Sequence, residues 1–204
     1  MEASLPSSSI VEMKARLQIV GRVIVVISTI TGFAVSFVLL QRSVGPTSPL
    51  FGLLGMVELL GLAKVVEPLF LLQMPTVLRV VRPWEKRGVL YSRLLVPSFG
   101  RLLRETPLRF LNASVYLAKG HLDLAKVYRQ AEAAEAAHFW SALLFTPYIG
   151  YVWFLEQYRN AILLLVVQVF VNIYPILHLR MVRGRLDPLL RRHIQRQVHF
   201  ENTP

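Results

Sequence analysis

The chain has 204 residues, 54% of them hydrophobic and only 17% charged, a balance that excludes an ordinary soluble globular domain. Its 23 Lys and Arg against 12 Asp and Glu give a net charge of +11; in so apolar a chain this excess points to anionic head groups and cytoplasmic loops, with no nucleic-acid partner. The absence of cysteine excludes a disulfide framework and thiolate chemistry.

The expected class is all-α. It is a polytopic membrane protein, one domain over 1–204, with four transmembrane helices and a cytoplasmic segment of short interfacial helices. The N-terminal "MEASLPSSSIVEMKAR" lacks the pattern of a cleaved secretory signal and reads as a cytoplasmic tail or short interfacial helix. Nineteen uncharged residues separate Arg22 from Arg42, enough to cross a bilayer, and place a first span at about 18–41. A second span at about 50–73 carries Glu58, Lys64 and Glu67. Each mid-membrane charge costs about 2.5–3.5 kcal/mol, while each large aliphatic returns only about 0.3–0.6. Two readings follow: a polar cavity lined by Glu58 and Lys64, or a tilted helix that snorkels its charges.

Residues 76–137 form the expected cytoplasmic segment, cut by Pro83, Pro97 and Pro107. Leu90, Leu94, Leu95, Phe99, Leu102 and Leu103 recur at helical spacing against Arg93, Arg101 and Arg104. That pattern suits a head-group interface or a helical cap on the bundle. The Asn112 sequon is a chance match in a cytoplasmic segment. Asp123 predicts an N-cap for a helix through "LAKVYRQAEAAEAA" that runs into a third span at about 138–156. A fourth follows at about 160–179, its end loosened by Pro175. Eleven Lys and Arg lie between Arg79 and Arg129 and six more from Arg180 onward, against one in each short connection, Arg42 and Arg159. This bias puts both termini on the cytoplasmic face of the cell (inner) membrane.

Glu135 and His138 are i,i+3 neighbours on the third helix. A carboxylate there can hold one imidazole nitrogen and leave the other as a base, the base-plus-orienter half of a triad; the alternative is a pair that merely ends a span. Glu132, His121 and Asp123 add possible ligands but no recognisable metal spacing, so no metal is expected. Asn172, buried by depth, needs a partner: another helix or a polar group in a site. Arg180, Arg183 and Arg185 form guanidinium forks suited to phosphate, or a positive-inside anchor.

Three blocks resemble the family of glycosyl-4,4'-diaponeurosporenoate acyltransferases, small bacterial membrane proteins of carotenoid glycolipid synthesis. "WEKRGVLYSRLLVPSFGRLL", 84–103, is similar to an acidic-x-x-Gly-x-x-Tyr/Trp block. "AEAAEAAHFWSALLFTPY", 131–148, is similar to a Glu-x-x-His block heading a membrane helix. "NIYPILHLRMVRGRL", 172–186, is similar to Asn-x-x-Pro followed by spaced arginines. The resemblance covers roughly 80–192 and implies transfer of a fatty acyl group from a thioester to a hydroxyl of a glycosylated lipid or carotenoid. His138 would take the proton and Glu135 would orient it. Arg180, Arg183 and Arg185, with Arg87, would hold the phosphates of acyl-CoA, a co-substrate rather than a bound cofactor. Partners would be membrane lipids, the acyl donor and a lipid or glycosylated isoprenoid acceptor, with membrane-protein partners a further option. The rival readings are a non-catalytic subunit binding lipid, pigment or partner helices, and an ion-handling protein built on Glu58, Lys64 and Glu67.

Overall fold

The computed structural model describes residues 8–70, 73–86, 88–106 and 123–201. Arg87, Pro107, Asn112 and His121, and the side chain of Glu67, lie outside the described residues. What is described is helical, with no strand among the described residues.

Helix α1 (Ser8–Val44) and α2 (Pro49–Phe70) form a hairpin. Gly45 ends α1 at φ 84°, a left-handed value that favours glycine, and its N–H donates to Gln41 O at 3.0 Å. The hairpin tip is pinned from across the bundle: Tyr148 Oη donates to Pro46 O at 2.7 Å, and Asn160 Nδ2 to Thr47 O at 3.3 Å. Short helices α3 (Thr76–Arg79), α4 (Pro83–Lys86), α5 (Val89–Arg93) and α6 (Val96–Glu105) follow. Helix α7 (Leu124–Phe154) starts as expected, with Asp123 Oδ1 accepting from Lys126 N at 3.0 Å. It runs unbroken through the alanine-rich stretch and past Pro147. Helix α8 (Tyr158–Gln168), a π-helical turn (Val169–Ile173) and α9 (Tyr174–Glu201) form one continuous rod.

Pro175 does not end the fourth helix; α9 continues to Glu201. Proline lacks an N–H, so the Val171 carbonyl four residues back loses its ordinary partner. The rod absorbs this by widening: Tyr174 N–H reaches five residues back, to Val169 O. The kink is converted into a π turn.

Three described helical stretches are long and apolar enough to cross a membrane: Arg16–Val44, Pro49–Val66 and Tyr158–Arg192. Helix α7, expected to carry a span, is outside this set; Ser141, Thr146, Pro147 and Gly150 dilute its apolar half. The second stretch, whose charges left it open, is inside the set. These apolar helices mark a membrane protein.

The core lies where α2, α7 and α8 meet, around Met56, Phe145, Val152, Ala161 and Leu164. Gly52 makes that approach possible: a Cβ there would fall 2.5 Å from Leu164 Cδ2 and 3.1 Å from Tyr148 Cε1. Gly52→Ala is therefore expected to destabilise the fold by about 1–3 kcal/mol through overpacking. Thermal unfolding in detergent reads this, and an unchanged midpoint would show that the helices have slack.

Candidate functional site

The site begins with small side chains. Ala131, Ala134, Ala136 and Ala137 are all buried on α7, and Ala131 and Ala134 pack on Leu179 of α9. With no bulk between them, α7 and α9 lie close enough for side chains one turn apart on each to interdigitate. From α7 come Glu132, Glu135 and His138, and from α9 come Arg180 and Arg183; of the arginines, Arg183 is 1% exposed. The irregular segment 73–85 wraps the seam, held to α7 by Trp140 Nε1 donating to Gln73 O at 3.1 Å.

Arg180 uses every N–H it has. Nε donates to Glu85 Oε1 at 2.5 Å; Nη1 donates to Leu78 O and to Glu135 Oε1 at 3.1 Å; Nη2 donates to Val80 O at 2.9 Å and Glu85 Oε2 at 3.3 Å. Arg183 Nη1 donates to Glu135 Oε2 at 2.5 Å, and Nη2 to Arg79 O at 2.9 Å and Tyr128 Oη at 3.2 Å. Its guanidinium also lies over the Tyr128 ring at 5.1 Å. Arg79 closes the series on Glu132. Three arginines thus face three carboxylates: Glu85, Arg180, Glu135, Arg183, Glu132 and Arg79 form an alternating ladder with no net charge.

Burial pushes the Glu135 carboxyl above the usual carboxylate range, and the guanidiniums, Arg183 first, oppose that push. A fully buried carboxylate is tolerated only when both oxygens are bonded, which explains why two arginines serve one glutamate.

The ladder accounts for the first sequence block. Glu85 N-terminates the pattern and binds Arg180. Gly88, at φ 73°, supplies the left-handed turn between α4 and α5. Tyr91, 1% exposed, then folds back beneath them with Val96 and Met181. Burial first, and the charge of Glu85 second, push the Tyr91 hydroxyl up to about 12, so it stays protonated.

Helix α6 both caps the bundle and faces outward. Val96 and Gly100 are buried, while Leu95 and Leu102 are exposed. Gly100 admits the His178 ring: a Cβ there would sit 2.3 Å from His178 Cε1. That ring also meets Phe99, whose centroid is 6.3 Å away.

His138 sits one turn beyond the ladder and is 7% exposed. Its expected hydrogen bond to Glu135 is not the one it makes. Glu135 faces the arginines, and His138 Nδ1 lies 3.4 Å from Asn172 Oδ1. Asn172 Nδ2 donates to Gln168 Oε1 at 2.8 Å, and Gln168 Nε2 donates to Ala142 O at 2.9 Å. Each amide's orientation is fixed by the next bond, so the Asn172 oxygen faces the imidazole. The Val171 backbone also approaches the ring, at the turn that Pro175 opens. The Asn-x-x-Pro spacing therefore delivers a side-chain acceptor and a loosened backbone to one histidine.

Arg180 and Arg183, expected to bind phosphate, are committed to the ladder, and Arg185 is exposed outside it. Beside the ladder a cleft of about 270 Å³ is lined by Arg79, Val81, Tyr128, Glu132, Arg183 and Arg191, among others. Arg183 Nε is buried and without a hydrogen-bond partner. No group of three or more His, Cys, Asp or Glu suited to a metal occurs among the described residues.

A family model described as glycosyl-4,4'-diaponeurosporenoate acyltransferase matches residues 75–192, more than half of the chain. The chain belongs to that family. The match begins at the segment that wraps Arg180 and ends in α9, so it contains the whole ladder and the His138–Asn172–Gln168 series. Membership in this acyltransferase family supports a general acyl-transfer role. No curated protein and no solved structure matches the chain.

Sequence reasoning missed Glu85, Arg79 and Gln168 as site partners. Glu85 had a signal, the acidic position of its block. Gln168, a polar residue one turn before Asn172 in an apolar run, had one too. Arg79 had none, because its place depends on the fold of the 73–85 segment. Glu135→Leu alone is expected to cost about 3–5 kcal/mol by stranding buried guanidiniums. Combined with Arg183→Leu it should show a coupling of at least about 1 kcal/mol in a double-mutant cycle; additive losses would show that the two do not share one network. Gly100→Ala is expected to displace His178 and destabilise the α6–α9 contact by about 1–3 kcal/mol, read as early proteolysis within α6.

Proposed function

We propose that the protein moves a fatty acyl group from an acyl thioester to a hydroxyl of a glycosylated lipid or carotenoid, with His138 as the general base. The observation that carries this is the buried His138–Asn172–Gln168 series. Nδ1–H is held by Asn172, which leaves Nε2 with the lone pair. Asn172 also favours the imidazolium that forms when the ring takes a proton, the part first assigned to Glu135. Glu135 instead becomes a positioning residue. It fixes α9, and with it Asn172, against the helix that carries His138.

Acyl-CoA is the co-substrate in this reading, with no bound cofactor. Glu132 precedes His138 by six residues, about 9 Å along a helix. A donor whose phosphates met the cleft of Arg79, Arg183 and Arg191, with Arg185 and Arg87 as further phosphate contacts, would reach the imidazole with its thioester arm. The topology that fits has four spans, the fourth formed by α8 with the first part of α9. The apolar half of α7 completes the set, with Leu143, Leu144, Trp153 and Phe154 exposed on its outer side. Both termini and the basic segment then face the cytoplasm of the cell membrane.

A second reading, a non-catalytic subunit that binds lipid, pigment or partner helices, draws support from α1. None of its apolar window is buried within the chain.

The test is acyl transfer from palmitoyl-coenzyme A to an alkyl glucoside by purified protein. His138→Ala is expected to abolish product in a folded protein, and Asn172→Ala to lower kcat by about 100-fold, in the range for general-base catalysis. Near-normal turnover by His138→Ala would remove the mechanism and favour the subunit.

A further inference from the structure

The family match starts at residue 75, after α2. Yet α2 packs along α7, and its register follows from two contacts. Gly52 faces Tyr148 at 3.1 Å from its built Cβ, and Met56 shares a core cluster with Phe145. As α2 advances, α7 recedes, so the two helices are antiparallel. Lys64 follows Met56 by eight residues, about 12 Å along the axis, and His138 precedes Phe145 by seven, about 10 Å. The two side chains therefore lie at one level of the bundle. Lys64 is half-buried, and its charge acts on the His138 imidazole. An ammonium is rare inside an apolar helix, and this one stands at the level of the one buried histidine of α7.

We infer that Lys64 is a catalytic residue whose ammonium stabilises the tetrahedral oxyanion formed beside His138. The inference rests on the acyl-transfer reading above and adds a group from outside the matched segment. The acceptor oxygen bonds to the acyl carbon as its proton passes to His138. The carbonyl electron pair collects on oxygen against Lys64. The pair then returns, the carbon–sulfur bond breaks, and the proton on His138 passes to the departing thiolate. Lys64 neither gains nor loses a proton. A fixed positive charge where the oxyanion develops, in a site shielded from water, is the kind of electrostatic complement that acyl transfer needs.

The chain has no cysteine, which makes a clean experiment possible. Lys64→Cys creates a single thiol. Treatment with 2-bromoethylamine rebuilds an ammonium of nearly lysine length, and iodoacetamide gives a neutral adduct of similar size. With palmitoyl-coenzyme A and an alkyl glucoside, Lys64→Cys is expected to lower kcat by about 100-fold, the loss typical of removing one oxyanion donor. KM should stay within about threefold. Bromoethylamine should restore turnover and iodoacetamide should not. A kcat within about threefold of the parent, or equal restoration by both reagents, would overturn the role of the charge. Independently of turnover, Lys64→Cys combined with His138→Cys is expected to be joined by a short thiol cross-linker, and failure to join would overturn the juxtaposition. If His138→Ala is inactive while Lys64→Cys is normal, only the lysine assignment falls. If the unmodified chain, or His138→Ala at normal rate, contradicts base catalysis, both readings fall together.

Discussion

Everything at the basic end of the bundle depends on one guanidinium. Arg180 reaches five acceptors in three separate parts of the chain: two backbone carbonyls of the 78–80 segment, Glu85 of α4 and Glu135 of α7. The carbonyls are those that an irregular backbone leaves without helical partners, and a buried carbonyl must find a donor somewhere. A lysine could not replace it, since three donors on a point charge cannot serve five acceptors spread around a plane. The same side chain therefore caps a loop, bridges two acids and sets how α9 lies on α7. Arg183 repeats the arrangement one turn on, between Glu135 and Glu132, with Tyr128 as an added partner.

Next to this neutral ladder the His138 region follows different rules. Its hydrogen-bonding groups are amides and backbone, not ions, and they run in one line from Ala142 O through Gln168 and Asn172 to the ring. Charge is kept one turn away on α7 and α9 and arrives from a third helix, through Lys64. This division explains why a glutamate at ideal spacing from the histidine does not bond to it. Two arginines outcompete one neutral imidazole for a buried carboxylate. The histidine is left to the amide that Pro175 and the π turn bring into reach.

How much of this could be read from the sequence depended on the kind of signal. The helices were legible because apolar runs and the Asp123 cap are local. The Glu135–His138 neighbourhood was legible too, since i,i+3 spacing places side chains together. What each then bonded to was not, because that depends on what α9 and the 73–85 segment offer from across the bundle. Pro175 shows the same limit: its lost hydrogen bond was predictable, but whether the helix would stop or widen was decided by tertiary packing. Guanidinium forks at the end of the fourth span pointed to phosphate for Arg180 and Arg183, but a sequence does not reveal which acids lie opposite a fork. The residues quoted for the family resemblance held more than their spacing disclosed. Glu85, Gly88 and Tyr91 turn out to be a salt-bridge partner, a turn and a floor for one arginine.

The alanines of α7 set a distance. With methyl groups alone at positions 131 and 134, the gap to α9 at Leu179 is set by backbone against side-chain stems, and nothing there can rotate to fill or open it. The seam behaves as a caliper. A larger residue at either position would push the two rods apart at this seam and strain the placing of Asn172 against the imidazole, although it touched neither. Drift in this composition-poor stretch would therefore be felt as lost chemistry before it was felt as lost folding.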